Sequence, residues 1–138
     1  MSFEIVWRKP DGLIKRHFGH VTGKEILSAN VLAEADLRFD DLHYVINDFL
    51  GCSRLTVSPD EMEEIVAIDR AASESNPDIR IAVVATHPDV LAAANSYARH
   101  RLSTFTTRLF SSMEEACAWL GVGNTYLSSP DNGITHPD

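Results

Sequence analysis

The sequence has 138 residues, a length that predicts one domain with a core of its own. Twelve basic and twenty acidic residues give a formal net charge of -8, which disfavours nucleic acid or an anionic membrane surface as a partner. No segment has the apolar length that a membrane span needs, and two cysteines without a signal peptide predict a reduced, cytoplasmic protein.

The first part of the chain predicts an antiparallel hairpin followed by a helix. Residues 3–8 alternate like a half-buried strand, "KPDG" supplies a turn, and residues 13–20 continue as the second strand. Thr22 and Glu25 have the spacing of a capping box, which predicts that a helix begins after Thr22.

Strands and helices alternate through the rest of the predicted domain. The predicted strands are residues 43–50, 79–86 and 104–110, of which the second is the most apolar and hence central. The helices that follow them begin near Ser58, at His87 and at Ser111 or Ser112. The predicted fold class is therefore α/β, with the order ββαβαβαβα and a mostly parallel five-stranded sheet that carries an antiparallel N-terminal edge hairpin.

The predicted domain spans residues 1–121, and residues 122–138 form a C-terminal tail. The tail contains turn formers and little apolar sequence, so we expect it to be disordered. Order in the tail would imply that it packs on the domain or on a neighbouring chain.

The element order and two stretches of sequence resemble the STAS domain, the SpoIIAA-like fold of bacterial anti-sigma factor antagonists. The stretches are the opening strand pair, "FEIVWRKPDGLIKRHFGHVTGKE", and the close of the domain, "TTRLFSSMEEACAWLG". The likeness is greatest to divergent stand-alone bacterial members, which are classed with these antagonists and with the lipid-binding Sec14 domain. It implies a β–α superhelix and a protein that works by binding, without a cofactor.

The resemblance also implies a position for regulation by phosphorylation. In the best-known relatives, a partner kinase phosphorylates a serine in a short D-S-S-G-type turn at the start of the helix after the third strand. The corresponding region here, "NDFLGCSRLTVSPDE", is longer and lacks that turn. The phosphorylation candidates are Ser53, Thr56 and Ser58, although Ser58 before Pro59 is most simply a helix cap.

Polar residues at two predicted strand ends are candidates for ligand binding or for anchoring a loop. Asn47 and Asp48 end one inner strand, and Thr86 and His87 end the next, where open α/β sheets place their ligands. Hydrogen bonding of Asn47 and Asp48 to the loop backbone is the simpler interpretation. We expect the functional surface to comprise these strand ends and a loop over residues 48–58.

The sequence offers no pattern for a metal site or for catalysis. His17 and His20 fall on opposite faces of a strand, so they cannot chelate one metal ion together without a bulge. An enzyme that uses Asp48 or His87 as acid–base is the least favoured function, because neither residue has a visible catalytic partner.

Charge is distributed unevenly between two helical segments. Residues 58–78 carry seven acidic residues and one arginine, whereas residues 95–110 carry three arginines and no acid. These segments are either two solvated faces or complementary docking surfaces for a second copy or a partner protein. Tyr97, Arg99 and Arg101 are the interface candidates, since Tyr and Arg are favoured at interfaces.

The sequence thus predicts a non-enzymatic cytoplasmic protein-interaction or regulatory domain that forms a homodimer and has no cofactor or metal. The alternative is a small-molecule or lipid carrier, which predicts an apolar pocket between the sheet and the helices.

Overall fold

The computed structural model describes residues 3–100, 105–123 and 134–135 of the chain. The strands are β1 Phe3–Arg8, β2 Gly12–Thr22, β3 Tyr44–Thr56, β4 Arg80–Val84, β5 Thr106–Phe110 and β6 Ile134–Thr135. The helices are α1 Gly23–Glu34, α2 Pro59–Ser75, α3 Pro88–Arg99 and α4 Met113–Leu120, and a short 3-10 helix, Leu37–Asp41, follows α1. The predicted order is confirmed, and the 3-10 helix and β6 are additions to it.

The strands form one sheet in the order β5-β4-β3-β2-β1-β6. Strands β2 to β5 run parallel to one another, and β1 is antiparallel to both β2 and β6. The predicted five-stranded sheet with its N-terminal hairpin is therefore confirmed. The expectation of a disordered tail is wrong at Ile134 and Thr135, which pair with β1, and the rest of residues 124–138 lies outside the described residues.

Strand β3 is longer than the sequence predicts. Its first half pairs with β4 as far as Asp48, and its second half pairs only with the end of β2, from Gly51 beside Phe18 to Thr56 beside Thr22. Two register shifts in β3 accommodate this extension. The predicted loop over residues 48–58 is therefore wrong, because most of it is strand. We call the extension, residues 18–22 with residues 51–56, the β2–β3 arm.

The two faces of the sheet carry separate hydrophobic cores. Ile81 and Val83 of β4 face the core that contains α1, α2 and α3, whereas Ala82 and Val84 face the core that contains α4. This alternation confirms β4 as a central strand covered on both faces. The first core, between the sheet and three helices, contains the candidate site.

The predicted helix caps are formed, and they fix where α1 and α2 enter the core. The Thr22 hydroxyl accepts from the Glu25 backbone N–H at 3.3 Å, and the Ser58 hydroxyl accepts from that of Glu61 at 3.1 Å. Each glutamate side chain accepts in return from the backbone N–H of its cap residue. Ser58 is thus a capping residue, as the sequence predicts.

Candidate functional site

A cavity of about 120 Å³ lies between the sheet and helices α1, α2 and α3. At one water for roughly 10–15 Å³, this volume holds on the order of ten water-sized groups. Most of its wall is apolar and includes Phe39, Phe49, Ile65, Ile81, Val83 and Val90. An open groove of about 520 Å³ between α2 and α3 shares four wall residues with the cavity, namely Leu55, Val57, Met62 and Ala93. The groove therefore adjoins the cavity.

Two polar side chains enter the cavity from β2. Because side chains alternate along a strand, Lys15 and His17 point to the same side as buried Leu13. Both residues are buried, at 7% and 2% exposure, and both line the cavity. A lysine and a histidine thus take positions at which a covered sheet normally carries apolar residues.

Hydrogen bonds connect Lys15 to all three helices. The Lys15 amine donates to Asn30 Oδ1 on α1 at 2.6 Å, and the Asn30 amide donates to Asp69 Oδ1 on α2 at 3.3 Å. The Tyr97 hydroxyl on α3 donates to the other Asp69 oxygen at 2.8 Å. Glu34, the last residue of α1, lines the same cavity. We call Lys15, Asn30, Glu34, Asp69 and Tyr97 the polar cluster.

Burial displaces the pKa values of this cluster towards uncharged forms. It lowers the pKa of Lys15, against the opposing charges of Asp69 and Glu34. It raises the pKa of Glu34 to about 7, and the nearby charge of Asp69 acts in the same direction. The pKa of Asp69 is also raised by burial, although Lys15 and the Tyr97 hydroxyl oppose the shift. Glu34, with a pKa of about 7, can therefore exchange protons near neutral pH against an apolar wall.

His17 is the second polar feature of the cavity. Its ring stacks on Phe49 with centroids 4.6 Å apart and also contacts Phe3. Burial lowers its pKa to about 3, so the ring is neutral at physiological pH. Within the described part of the chain, its Nδ1 atom is buried without a hydrogen-bond partner. A buried nitrogen of this kind costs roughly 1–3 kcal/mol unless something binds it.

The two residues predicted at the end of β3 do not form one site. Asn47 lines the cavity. Asp48 belongs to the opposite face, where its side chain accepts from the Leu50 backbone N–H at 2.9 Å and lies 3.6 Å from the Arg16 guanidinium. Asp48 thus anchors the local backbone, which is the simpler of the two interpretations that the sequence allows.

The residues predicted at the end of β4 lie outside the cavity wall. Thr86 is exposed. His87 caps α3, with its Nδ1 accepting from the Asp89 backbone N–H at 3.1 Å.

The three phosphorylation candidates are exposed. Ser53 and Thr56 lie on the β2–β3 arm, where the Thr56 hydroxyl is 3.0 Å from His20 Nε2. Cys52, the residue before Ser53 on the same strand, is buried, and this burial raises the pKa of its thiol. A more basic thiol is poorly suited to act as a nucleophile at neutral pH.

The interface candidates at the end of α3 have different environments. The Tyr97 hydroxyl donates to Asp69 of α2, so this candidate makes a contact within the chain. Arg99 is exposed, whereas Arg101 lies outside the described residues. Contact of these arginines with a partner stays a prediction.

Comparisons with known proteins identify the fold alone. No family model matches the sequence, and no curated protein matches it. The anti-sigma factor antagonist SpoIIAA in its unphosphorylated form has a similar structure, with a TM-score of 0.59 and 11% identity over 87% of this chain and 97% of that one. An uncharacterized DUF3478-family protein from Shewanella loihica PV-4, described as SpoIIAA-like in fold, gives a TM-score of 0.49 and 14% identity over 86% of this chain and 92% of that one.

The described residues contain no helix that is long and apolar enough to cross a membrane. The element order, the parallel sheet with its antiparallel hairpin and the similarity to SpoIIAA agree with one another. The resemblance noted in the sequence is thereby confirmed at the level of fold: the chain has a SpoIIAA-like α/β fold.

Proposed function

We propose that this chain binds a small, mainly apolar molecule in the cavity, with the polar end of that molecule at Lys15 and His17. The observation that carries the proposal is the His17 Nδ1 atom, which is buried without a hydrogen-bond partner among the described residues and lies beside a polar cluster in an otherwise apolar cavity. Ligand sites in proteins combine an apolar wall with a few convergent polar groups, and this cavity has that composition.

A purely structural role accounts poorly for the polar cluster. Burying charged groups costs several kcal/mol for each ion, and apolar side chains of similar volume often stabilise a core better. Apolar residues at positions 15 and 17 would continue the Leu13 side of β2 without that cost. The presence of Lys15 and His17 is explained if they contact a ligand.

The cavity and the adjoining groove limit the size and shape of the ligand. The enclosed part holds on the order of ten heavy atoms, and the groove between α2 and α3 allows a longer molecule to extend to the surface. Met62 and Leu55 line both the cavity and the groove, so a molecule that extends from one to the other would pass their side chains. An unbranched molecule fits this path better than a wide, rigid one.

The proposal is tested by titrating the protein with 1-hexanol and following backbone amide signals by NMR. We expect saturable shifts concentrated in residues that line the cavity. Ala94→Leu places three more heavy atoms in the cavity wall. Because the leucine side chain takes space that 1-hexanol would occupy, we expect binding to weaken by about tenfold or more.

Ala98→Leu is the matched control, because Ala98 lies one turn further along α3 at an exposed position that lines neither the cavity nor the groove. It should bind 1-hexanol like the wild type. Shifts scattered over the surface, or equal affinities for the two leucine variants, would contradict the proposal.

A protein-interaction role is the second candidate, and two observations favour it. SpoIIAA, whose fold this chain shares, is described as an anti-sigma factor antagonist. The β2–β3 arm and the bulge beside it expose two large apolar side chains, Phe18 and Leu50, at 40% and 44%, and exposed apolar surface is a common feature of contact sites. A regulatory, non-enzymatic domain that docks through this arm is consistent with both.

Several sequence predictions belong to this second candidate. Phosphorylation at Ser53, Thr56 or Ser58 would add negative charge on or beside the arm and so alter docking. Homodimer formation through Arg99 and Arg101 would pair their charge with the acidic exposed side of α2. The cysteines Cys52 and Cys117 are buried and are not joined by a disulfide, which supports a reducing, cytoplasmic setting for either function.

A further inference from the structure

We propose that Lys15 captures a small aldehyde or ketone in the cavity by forming an imine with it. The inference rests on the proposed function, because the carbonyl compound must first occupy the cavity. It assigns to the ligand a chemical class, a carbonyl group carried on a short apolar chain, and to Lys15 a covalent role.

The surroundings of Lys15 favour its neutral, nucleophilic form. Its amine donates to a neutral amide, Asn30 Oδ1, and among the described residues no ion pair joins it to a carboxylate. Its burial lowers the pKa of the amine in spite of the charges of Asp69 and Glu34. Lysines that form Schiff bases are activated in this manner, by desolvation in an apolar pocket.

The hydrogen-bond network orients the amine towards the cavity. Asp69 accepts from both the Asn30 amide and the Tyr97 hydroxyl, and this fixes the Asn30 side chain with its oxygen towards Lys15. A neutral amine that donates one hydrogen to Asn30 keeps its lone pair for a reacting carbon.

His17 supplies an independent reason to place a carbonyl oxygen here. It lies two residues from Lys15 on the same side of β2, so both side chains enter the same cavity. Its buried Nδ1 has no partner within the described residues. In the tautomer that carries the proton on Nδ1, the ring would donate to the oxygen of a bound carbonyl group.

The reaction balances without an oxidant or reductant. The Lys15 lone pair attacks the carbonyl carbon and breaks the C–O π bond, and a proton moves from nitrogen to oxygen to give the carbinolamine. Protonation of its hydroxyl by Glu34, whose raised pKa of about 7 suits proton exchange, releases one water as the C=N bond forms. The proton left on nitrogen returns to Glu34, and addition of water reverses the sequence.

The test uses hexanal and sodium cyanoborohydride at pH 7, with the modified lysines identified by peptide mapping after short reaction times. Lys9, Lys15 and Lys24 are the only lysines of the chain, so the map is simple. We expect a hexyl group on Lys15 at a rate at least about tenfold above the rates at exposed Lys9 and Lys24, because burial lowers the pKa of the Lys15 amine and the cavity holds the aldehyde beside it.

Two controls separate this inference from the proposed function. Excess 1-hexanol, which cannot form an imine, should slow the reaction at Lys15 and leave Lys9 and Lys24 unaffected, and Lys15→Met should lose the fast reaction. If hexanal shifts the amide signals of the cavity but Lys15 reacts no faster than the exposed lysines, the imine is overturned and the cavity remains a binding site. If neither hexanal nor 1-hexanol alters those signals, both proposals fail.

Discussion

Replacing Asp69 with alanine is expected to lower the free energy of unfolding by about 2–4 kcal/mol at pH 7. Asp69 accepts hydrogen bonds from the Asn30 amide and the Tyr97 hydroxyl, and its removal leaves both donors without a carboxylate in a largely apolar cavity. A hydrogen bond contributes about 0.5–1.5 kcal/mol net, and the loss of a buried acceptor adds a desolvation penalty of about 1–3 kcal/mol. Urea unfolding measures the difference.

Glu64→Ala is the control for this prediction, because Glu64 is an exposed acidic residue of the same helix. A surface substitution of this kind changes stability by within about 0.5 kcal/mol. Asp69→Asn should fall between the two, since its amide oxygen can still accept one of the two bonds. Equal effects of Asp69→Ala and Glu64→Ala would show that the polar cluster does not connect the helices.

Acid is expected to destabilise the protein through His17. The pKa of this histidine is about 3 in the folded protein and 6.5 in its ordinary state, so the unfolded chain binds a proton that the folded chain excludes. The contribution of His17 to the free energy of unfolding therefore falls as the pH is lowered from about 6.5 towards 3. At about 1.4 kcal/mol for each pKa unit, the full contribution is roughly 4–5 kcal/mol. Unfolding by urea across this pH range measures the slope.

A variant isolates this contribution from those of other groups. His17→Gln removes the titrating ring, and its slope of stability against pH should be lower than that of the wild type by about one proton between pH 6 and 4. His20→Gln, at an exposed position of the same strand, controls for the loss of a histidine. Equal slopes in the wild type and His17→Gln would mean that His17 is not held neutral by burial.

Glu34 contributes to stability with the opposite dependence on pH. Its pKa is raised from 4.5 to about 7 by folding, so the folded protein retains a proton that the unfolded chain loses. This contribution is complete below pH 4.5 and is lost as the pH rises through about 7. The two groups therefore favour a maximum of stability on the acidic side of neutrality, which makes comparison of variants more informative than the wild-type curve alone.

The fold was predictable because its local signals agree with one another. The alternation in β1, the apolar run of β4 and the two capping boxes all fall where the structure has these elements. The extension of β3 was not predictable from local sequence. Gly51, Cys52 and Ser53 are typical of a loop, and they form a strand because the long end of β2 offers backbone partners. Tertiary pairing thus overrides local preference in the β2–β3 arm.

The site was less predictable, because its residues are distant in sequence and each looks ordinary alone. The sequence signal that identifies them is their spacing from the buried residues of the same strand or helix. Lys15 and His17 continue the buried side of β2 after Leu13, and Asp69 follows Ile65 by four residues on the buried side of α2. A charged residue in phase with buried ones is unusual and indicates an internal role. By composition alone, Asp69 is one of the seven acidic residues of segment 58–78 and does not stand out from those that face solvent.

The predicted site residues differ from the cavity residues because open α/β sheets usually bind ligands at the carboxyl ends of their strands. This rule predicts a site at Asn47, Asp48, Thr86 and His87, of which only Asn47 lines the cavity. Asp48 and His87 have ordinary structural tasks, one in anchoring a bulged strand and the other in capping α3. The cavity lies beneath the helices, between the sheet and the face that the helices bury, where no strand-end rule applies.

Native mass spectrometry of the protein purified from its own source, intact and after denaturation, tests whether the cavity binds a small molecule. We predict a small added mass on the intact protein that is lost on denaturation. If Lys15 holds the ligand as an imine, the added mass is retained on denaturation when borohydride is added first. A protein that carries no such mass, and gains none on incubation with 1-hexanol or hexanal, would contradict a binding cavity. A bare homodimer or a phosphate that survives denaturation would then favour the protein-interaction role.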